Sequence, residues 1–196
     1  MKIILIDNKE EMCNAWKKYF NGIDDVEIVN DYIQSYDLNK VDCLVSPANS
    51  YGLMDGGYDL ALTKMFGDQL QKMVQNYIID NLYGEQPVGS SIIVDIPNTN
   101  KKLIHTPTMR IPSPIVDSEI VYTSMRSTLI CALKNNIKSI IIPAFGGTTG
   151  MVPMEIIAKE MFKAYIQIFK IKLPIHSWYD VDVRAELMFK YLSSKK

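Results

Sequence analysis

Short apolar runs alternate along the chain with longer stretches of helical period. Residues 3–6 form a buried-strand run that stops at Asp7-Asn8. Met12, Ala15, Trp16, Tyr19 and Phe20 then recur at helical spacing, and Asn21-Gly22 ends that helix. Residues 26–29 and 43–45 read as two further strands, and the second runs straight into Ser46-Pro47-Ala48-Asn49-Ser50. Beyond a glycine-containing loop, Leu70, Met73, Val74, Tyr77 and Ile78 predict a long helix. Residues 92–94 and 103–104 predict two strands joined by a turn over residues 97–102, and Pro112-Ser113-Pro114 marks an exposed loop. Val121, Met125, Leu129 and Ala132 form a helix stripe. Residues 139–142 are the most apolar strand, which places it centrally, buried on both faces. A helix opened by Pro153, with Glu155 in its first turn, follows, and Val181, Ala185, Met188 and Leu192 predict a last helix over about residues 179–193.

No repeat, low-complexity stretch or charge block divides the sequence, so residues 1–196 read as one domain. Strand-helix alternation of this length predicts a layered α/β domain with a mostly parallel or mixed sheet. Ligands of such sheets bind beyond the carboxyl ends of the strands. Two glycine-bearing loops meet that criterion, residues 46–59 and residues 145–153.

Composition narrows the chemistry. With 21 basic and 22 acidic residues the formal net charge is -1, so no overall field draws in nucleic acid. Only Arg110, Arg126 and Arg184 are arginines, few for a binder of nucleic-acid backbones. The longest apolar run, residues 140–145, is too short to span a bilayer, and the first residues predict no secretory signal. Cys13, Cys43 and Cys131 are odd in number and far apart, which points to a reducing cytoplasm and to core positions. Two histidines and no clustered cysteines give no metal site, and no cofactor is expected.

The loop Phe145-Gly146-Gly147-Thr148-Thr149-Gly150-Met151-Val152-Pro153 puts glycine backbone ahead of a helix N-terminus. Taken alone, it fits an anion cradle or a tight strand-to-helix turn equally well. It lacks the Lys-Ser/Thr of a nucleoside-triphosphate loop, and Asp7-Asn8-Lys9-Glu10 carries no dinucleotide fingerprint. The other loop is more specific. Ser46-Pro-Ala-Asn49-Ser-Tyr-Gly-Leu-Met-Asp-Gly56-Gly57-Tyr-Asp59 resembles the signature of macrodomains, the ADP-ribose-binding family, which reads Asn-Ala-Ala-Asn-Ser, a glycine run, then apolar-Asp. Residues 41–45, 102–106 and 135–144 resemble the family's neighbouring strands, and Asn30-Asp31 stands where it has Gly-Asp. This chain departs at Ser46 and Pro47, which replace Asn and Ala. Met54-Asp55 shortens the glycine run, and no aromatic lies between Gly146 and Pro153.

The resemblance implies a macrodomain-like three-layer α/β/α sandwich that binds ADP-ribose or an ADP-ribosylated substrate. It implies that Asn49 orients the distal ribose and that Asp59 positions or deprotonates a water. Asp31 would meet adenine, Ser46, Ala48 and Tyr58 would contact the ligand, and Gly56 and Gly57 would close over the distal ribose. Gly146, Gly147, Thr148, Thr149 and Gly150 would hold the diphosphate, with Met151 also in the ligand-binding set and Tyr51, Tyr58 or Phe145 as a stacking face. Blander roles stand beside these: Asp59 also suits a helix start, and Asn49 also suits a turn. His105, inside an apolar strand, reads as a hydrogen-bonded core histidine. Two functions follow, hydrolysis of an ADP-ribosyl linkage or ADP-ribose phosphate, and non-enzymatic reading of ADP-ribose. Nucleic acid enters only as an ADP-ribosylated substrate, and no membrane partner is expected.

Overall fold

Six strands make one sheet in the order β2-β1-β6-β3-β5-β4. The strands are β1 (Lys2–Asp7), β2 (Val26–Asn30), β3 (Cys43–Ser46), β4 (Ile92–Asp95), β5 (Lys102–His105) and β6 (Ser139–Pro143). In this computed structural model residues 1–195 are described, and Lys196, the end of the predicted domain, lies outside them. All pairings are parallel except β4 against β5, a hairpin at one edge. β6 sits between β1 and β3, as its unbroken apolar run requires.

Alternation along each strand sends side chains to two cores. Ile3, Leu5, Cys43, Val45, Ile104, Ile140 and Ile142 join one cluster with α1 (Glu10–Phe20), α4 (Glu119–Lys134) and α5 (Met154–Phe169). Ile4, Ile6, Leu44, Leu103 and Ile141 join the other with α2 (Gly57–Phe66) and α3 (Asp68–Leu82). The result is the three-layer α/β/α sandwich, with helices on both faces of a mixed, mostly parallel sheet. Gly67, at φ +82°, separates α2 from α3.

The last helix, α6 (Trp178–Ser193), packs on the outside of α5 and buries none of its residues fully. A capping box starts it: the Asp180 backbone N–H donates to Ser177 Oγ, and the Asp180 carboxylate accepts the Ser177 N–H at 2.8 Å. Among the described residues no helix is long and apolar enough to cross a membrane.

Candidate functional site

The five parallel strands end at the same edge of the sheet, and the chain leaves β1 toward β2 on one side and toward β6 and β3 on the other. Such a reversal leaves a crevice between the strand-end loops. A cleft of about 500 Å³ lies there, walled by the loops after β1, β2, β3 and β6 and by the segment after β5.

The loop after β6 forms the middle of its wall. Gly146 turns the chain at φ +76°, a left-handed conformation that glycine adopts without strain. Gly150 packs against it: a Cβ there would lie 2.7 Å from the Gly146 carbonyl oxygen. The Val152 N–H donates to the Gly146 carbonyl (3.1 Å) and the Ile115 N–H to the Gly150 carbonyl (2.8 Å), which fixes the loop's shape. Among the described residues, no protein acceptor takes the backbone N–H groups of Gly146 to Gly150. These are five consecutive backbone donors without a protein acceptor, in a fixed loop ahead of the α5 N-terminus, the chemistry an anion site needs.

The loop after β3 supplies the facing wall. Asn49 spends its side chain on its own loop: Oδ1 accepts from the Tyr51 and Leu53 N–H groups, and Nδ2 donates to the Leu53 carbonyl at 2.8 Å. Met54, where the family has glycine, is fully buried in the α2–α3 core. Its N–H donates to Gln71 Oε1 and its carbonyl accepts from Thr63, so it anchors the loop from below. Asp55 is left exposed on the wall. Gly56 caps α2, and Asp59 lies in the first turn of that helix.

Asp59 is only 8% exposed, and Ser46 Oγ donates to its carboxylate at 2.7 Å. Burial raises its pKa to about 7, against the lowering effect of the Ser46 hydroxyl and with a further push from the Asp55 charge. Ser46 and His105 are register partners on β3 and β5. His105 Nδ1 meets Gln86 Oε1 at 2.7 Å, and burial lowers the imidazole pKa to about 3, so the ring is neutral in the core.

The structure therefore brings Asp31, Ala48, Asn49, Gly56, Gly57, Tyr58 and Asp59 into one cleft with Gly146, Gly147, Thr148, Thr149 and Gly150. Three expected site residues stand apart from its wall. Ser46 is fully buried, and it reaches the cleft only through Asp59. Phe145 is fully buried in the α4–α5 core, because the turn at Gly146 comes one residue after it; it offers no stacking face. Met151 lies where the chain leaves the cleft, 73% exposed, in a turn closed by its N–H on the Thr148 carbonyl.

Sequence reasoning missed Lys9, Tyr32 and Thr108, all on the cleft wall. Each directly follows a strand or its short extension, so the strand-end rule alone was the available signal. The charged residues of the wall are Asp7, Asp31, Asp55 and Asp59 against Lys9. Among the described residues, no group of three or more His, Cys, Asp or Glu side chains is placed to hold a metal ion.

A strand-edge cleft set in a three-layer sandwich defines the class of fold as a layered α/β domain. The chain belongs to the Macro domain family, whose model matches residues 45–161. An uncharacterized protein of Aquifex aeolicus (strain VF5) is 32% identical over 139 residues, which cover 70% of this chain and 78% of that protein. Among solved structures, the Oceanobacillus iheyensis macrodomain with ADP superposes with a TM-score of 0.61 at 24% identity, covering 80% of this chain and 86% of that one. A mutant of the same macrodomain has been solved with ADPR. The macrodomain of Mycobacterium tuberculosis DarG matches with a TM-score of 0.57 at 20% identity, covering 68% of this chain and 88% of that one. These likenesses establish the fold.

Proposed function

We propose that the cleft binds ADP-ribose, free or carried by a substrate, and that the protein hydrolyses the bond that attaches the ADP-ribosyl group or a phosphate on it. The run of unclaimed N–H groups from Gly146 to Gly150 carries this reading, because it offers a diphosphate five donors without rearrangement. The ADP and ADPR held by the Oceanobacillus macrodomain support it. Asp31 stands at the β2 end of the cleft, where adenine would lie, with Tyr32 beside it as an exposed aromatic face. Gly56, Gly57 and Asp59 face the distal ribose.

In the hydrolytic reading Asp59 takes a proton from a water attacking the ribose anomeric carbon, while the attached group leaves with the bonding pair. A carboxylate with a pKa near 7 is matched to that work at neutral pH. A second reading, a reader that binds without hydrolysis, is favoured by Asn49, whose amide is already used by its own loop. Release of ADP-ribose from a modified protein by the wild type separates the two.

Calorimetric titration tests the shared claim. The wild type is expected to bind ADP-ribose saturably in the micromolar range, about -8 kcal/mol, and AMP much more weakly. Absence of saturable ADP-ribose binding overturns the proposal.

A further inference from the structure

Ser46 is a polar residue with no exposed surface, at the end of a strand whose other residues, Cys43, Leu44 and Val45, belong to the cores. A hydroxyl buried there must find a partner or destabilise the fold. Its partner is Asp59: Ser46 Oγ donates to Asp59 Oδ1 at 2.7 Å. The donor is well held. β3 lies inside the sheet between β6 and β5, and Ser46 stands in register with His105. The Ser46 carbonyl accepts the Thr106 N–H at 2.9 Å.

The acceptor has no such support on its own helix. Asp59 lies in the first turn of α2, yet no backbone N–H among the described residues donates to its carboxylate, so it does not cap that helix. Gly56, at the cap position, makes no side-chain bond either. Asp59 Oδ2 takes no hydrogen bond from the described residues and is not closed off from solvent. The small exposure left to Asp59 opens on the cleft. One carboxylate oxygen is thus tied to the sheet, and the other is left to the ligand space.

We propose that Ser46 is a positioning residue, whose hydroxyl holds Asp59 Oδ1 from the end of β3 and so turns Oδ2 toward the attacking water. The inference rests on the proposed function, in which Asp59 takes that water's proton; the proton goes to Oδ2, and Ser46 keeps its own. The same bond favours the ionised carboxylate and counters the burial that raises the Asp59 pKa to about 7. The other ionisable groups about Asp59 give no such help. Asp55 pushes its pKa further up, Tyr58 is a buried neutral phenol, and His105 is a neutral ring. Among the described residues, neither α3 nor the turn at residues 33–35, both packed on α2, brings it a compensating charge.

The test compares wild type, Ser46→Ala and Ser46→Thr in two readouts, beside thermal melts. Carboxyl-carbon NMR of the free proteins follows the ionisation of Asp59, its signal assigned by its loss in Asp59→Asn. Steady-state release of ADP-ribose from a modified protein is followed against pH. Ser46→Ala is expected to raise the Asp59 midpoint by roughly one pH unit and to carry the rise in rate with it. Above both midpoints its kcat is expected to stay roughly tenfold below wild type with KM within about twofold, because the charge is restored there and the aim is not. Ser46→Thr keeps the hydroxyl and is expected to restore the midpoint and most of kcat. If Ser46→Ala fails to fold, Ser46→Cys, similar in size and a weak donor, takes its place with the same expected directions. An unchanged midpoint overturns the inference, and so does a wild-type kcat above both midpoints; either leaves the proposed function standing. A folded Ser46→Thr that behaves as Ser46→Ala also overturns it, because the hydroxyl is then not the cause. If the wild type releases no ADP-ribose, the hydrolytic reading falls, and the inference falls with it.

Discussion

A single methyl group added at Gly150 is expected to weaken ADP-ribose binding by roughly a hundredfold while the protein stays folded. The new Cβ would stand 2.7 Å from the Gly146 carbonyl oxygen, 2.9 Å from Gly146 Cα and 2.7 Å from the end of Ile115. Ile115 can rotate, but the backbone of Gly146 cannot give way without moving the loop. That loop is pinned by the Val152 N–H on the Gly146 carbonyl and by the Ile115 N–H on the Gly150 carbonyl. Relief of the clash moves the loop, and the N–H groups that the proposed site offers to a diphosphate are displaced with it. Overpacking of this kind costs stability by about 1–3 kcal/mol, which a domain of this size survives. Calorimetry of Gly150→Ala beside a melting curve checks both halves. Wild-type affinity in that variant would show that the Gly146 to Gly150 amides do not hold the ligand.

Asp59→Asn is expected to abolish release of ADP-ribose and, at the same time, to make the protein more stable above neutral pH. Burial holds the folded-state pKa near 7 against an ordinary value of 3.8. From about pH 4 to about pH 7 the folded protein therefore keeps a proton that the unfolded chain has lost. Stability falls as pH rises through that window and stays low above it. The penalty amounts to about 4 kcal/mol at full ionisation. Asparagine carries no charge and keeps an oxygen for the Ser46 hydroxyl, but its amide brings donors that cost about 1–3 kcal/mol if unmet. A net gain of about 1–3 kcal/mol at pH 8 is expected, shrinking toward pH 4. Denaturant titrations at several pH values measure it, and a variant with the wild-type pH slope would remove the buried carboxylate from the account. Wild-type hydrolysis should rise with pH through about 7, as a base that must first lose its proton requires. Release by Asp59→Asn at the wild-type rate would assign the base elsewhere.

Much of the scaffold was legible because apolar periodicity is a local signal with a global cause. The run at residues 139–142 could be placed between two other strands from its sequence alone, since only a strand buried on both faces is apolar at every position. The two glycine loops were legible through strand-end logic and the resemblance of the first loop. What escaped depended on directions set by tertiary packing. Phe145 sits one residue before a left-handed glycine, so the turn that forms the cradle leaves the ring behind in the core. Ser46 looked like a wall residue, but the final position of β3 points it beneath Asp59, thirteen residues away in sequence. Asn49 suited both a ligand contact and a turn, and the structure places it on the cleft wall with its amide bonded within its own loop. Lys9, Tyr32 and Thr108 carried only the strand-end signal, because which side chains wall a cleft is a property of the assembled neighbourhood.

The make-up of the wall has a consequence for how a ligand arrives. Asp7, Asp31 and Asp55 face one lysine on the cleft wall, and Asp59 takes up its charge only as pH rises through about 7, so an approaching dianion meets a net repulsive field rather than a funnel. The attraction resides in backbone dipoles, which fade within a few ångströms, whereas the opposing charges reach across a Debye length of about 8 Å. At the proposed site, capture of such a ligand is expected to be slow at a distance and firm on contact. Dissolved salt then acts unusually: by shortening the reach of the carboxylates it eases approach, while the short-range grip of the amides is left nearly intact.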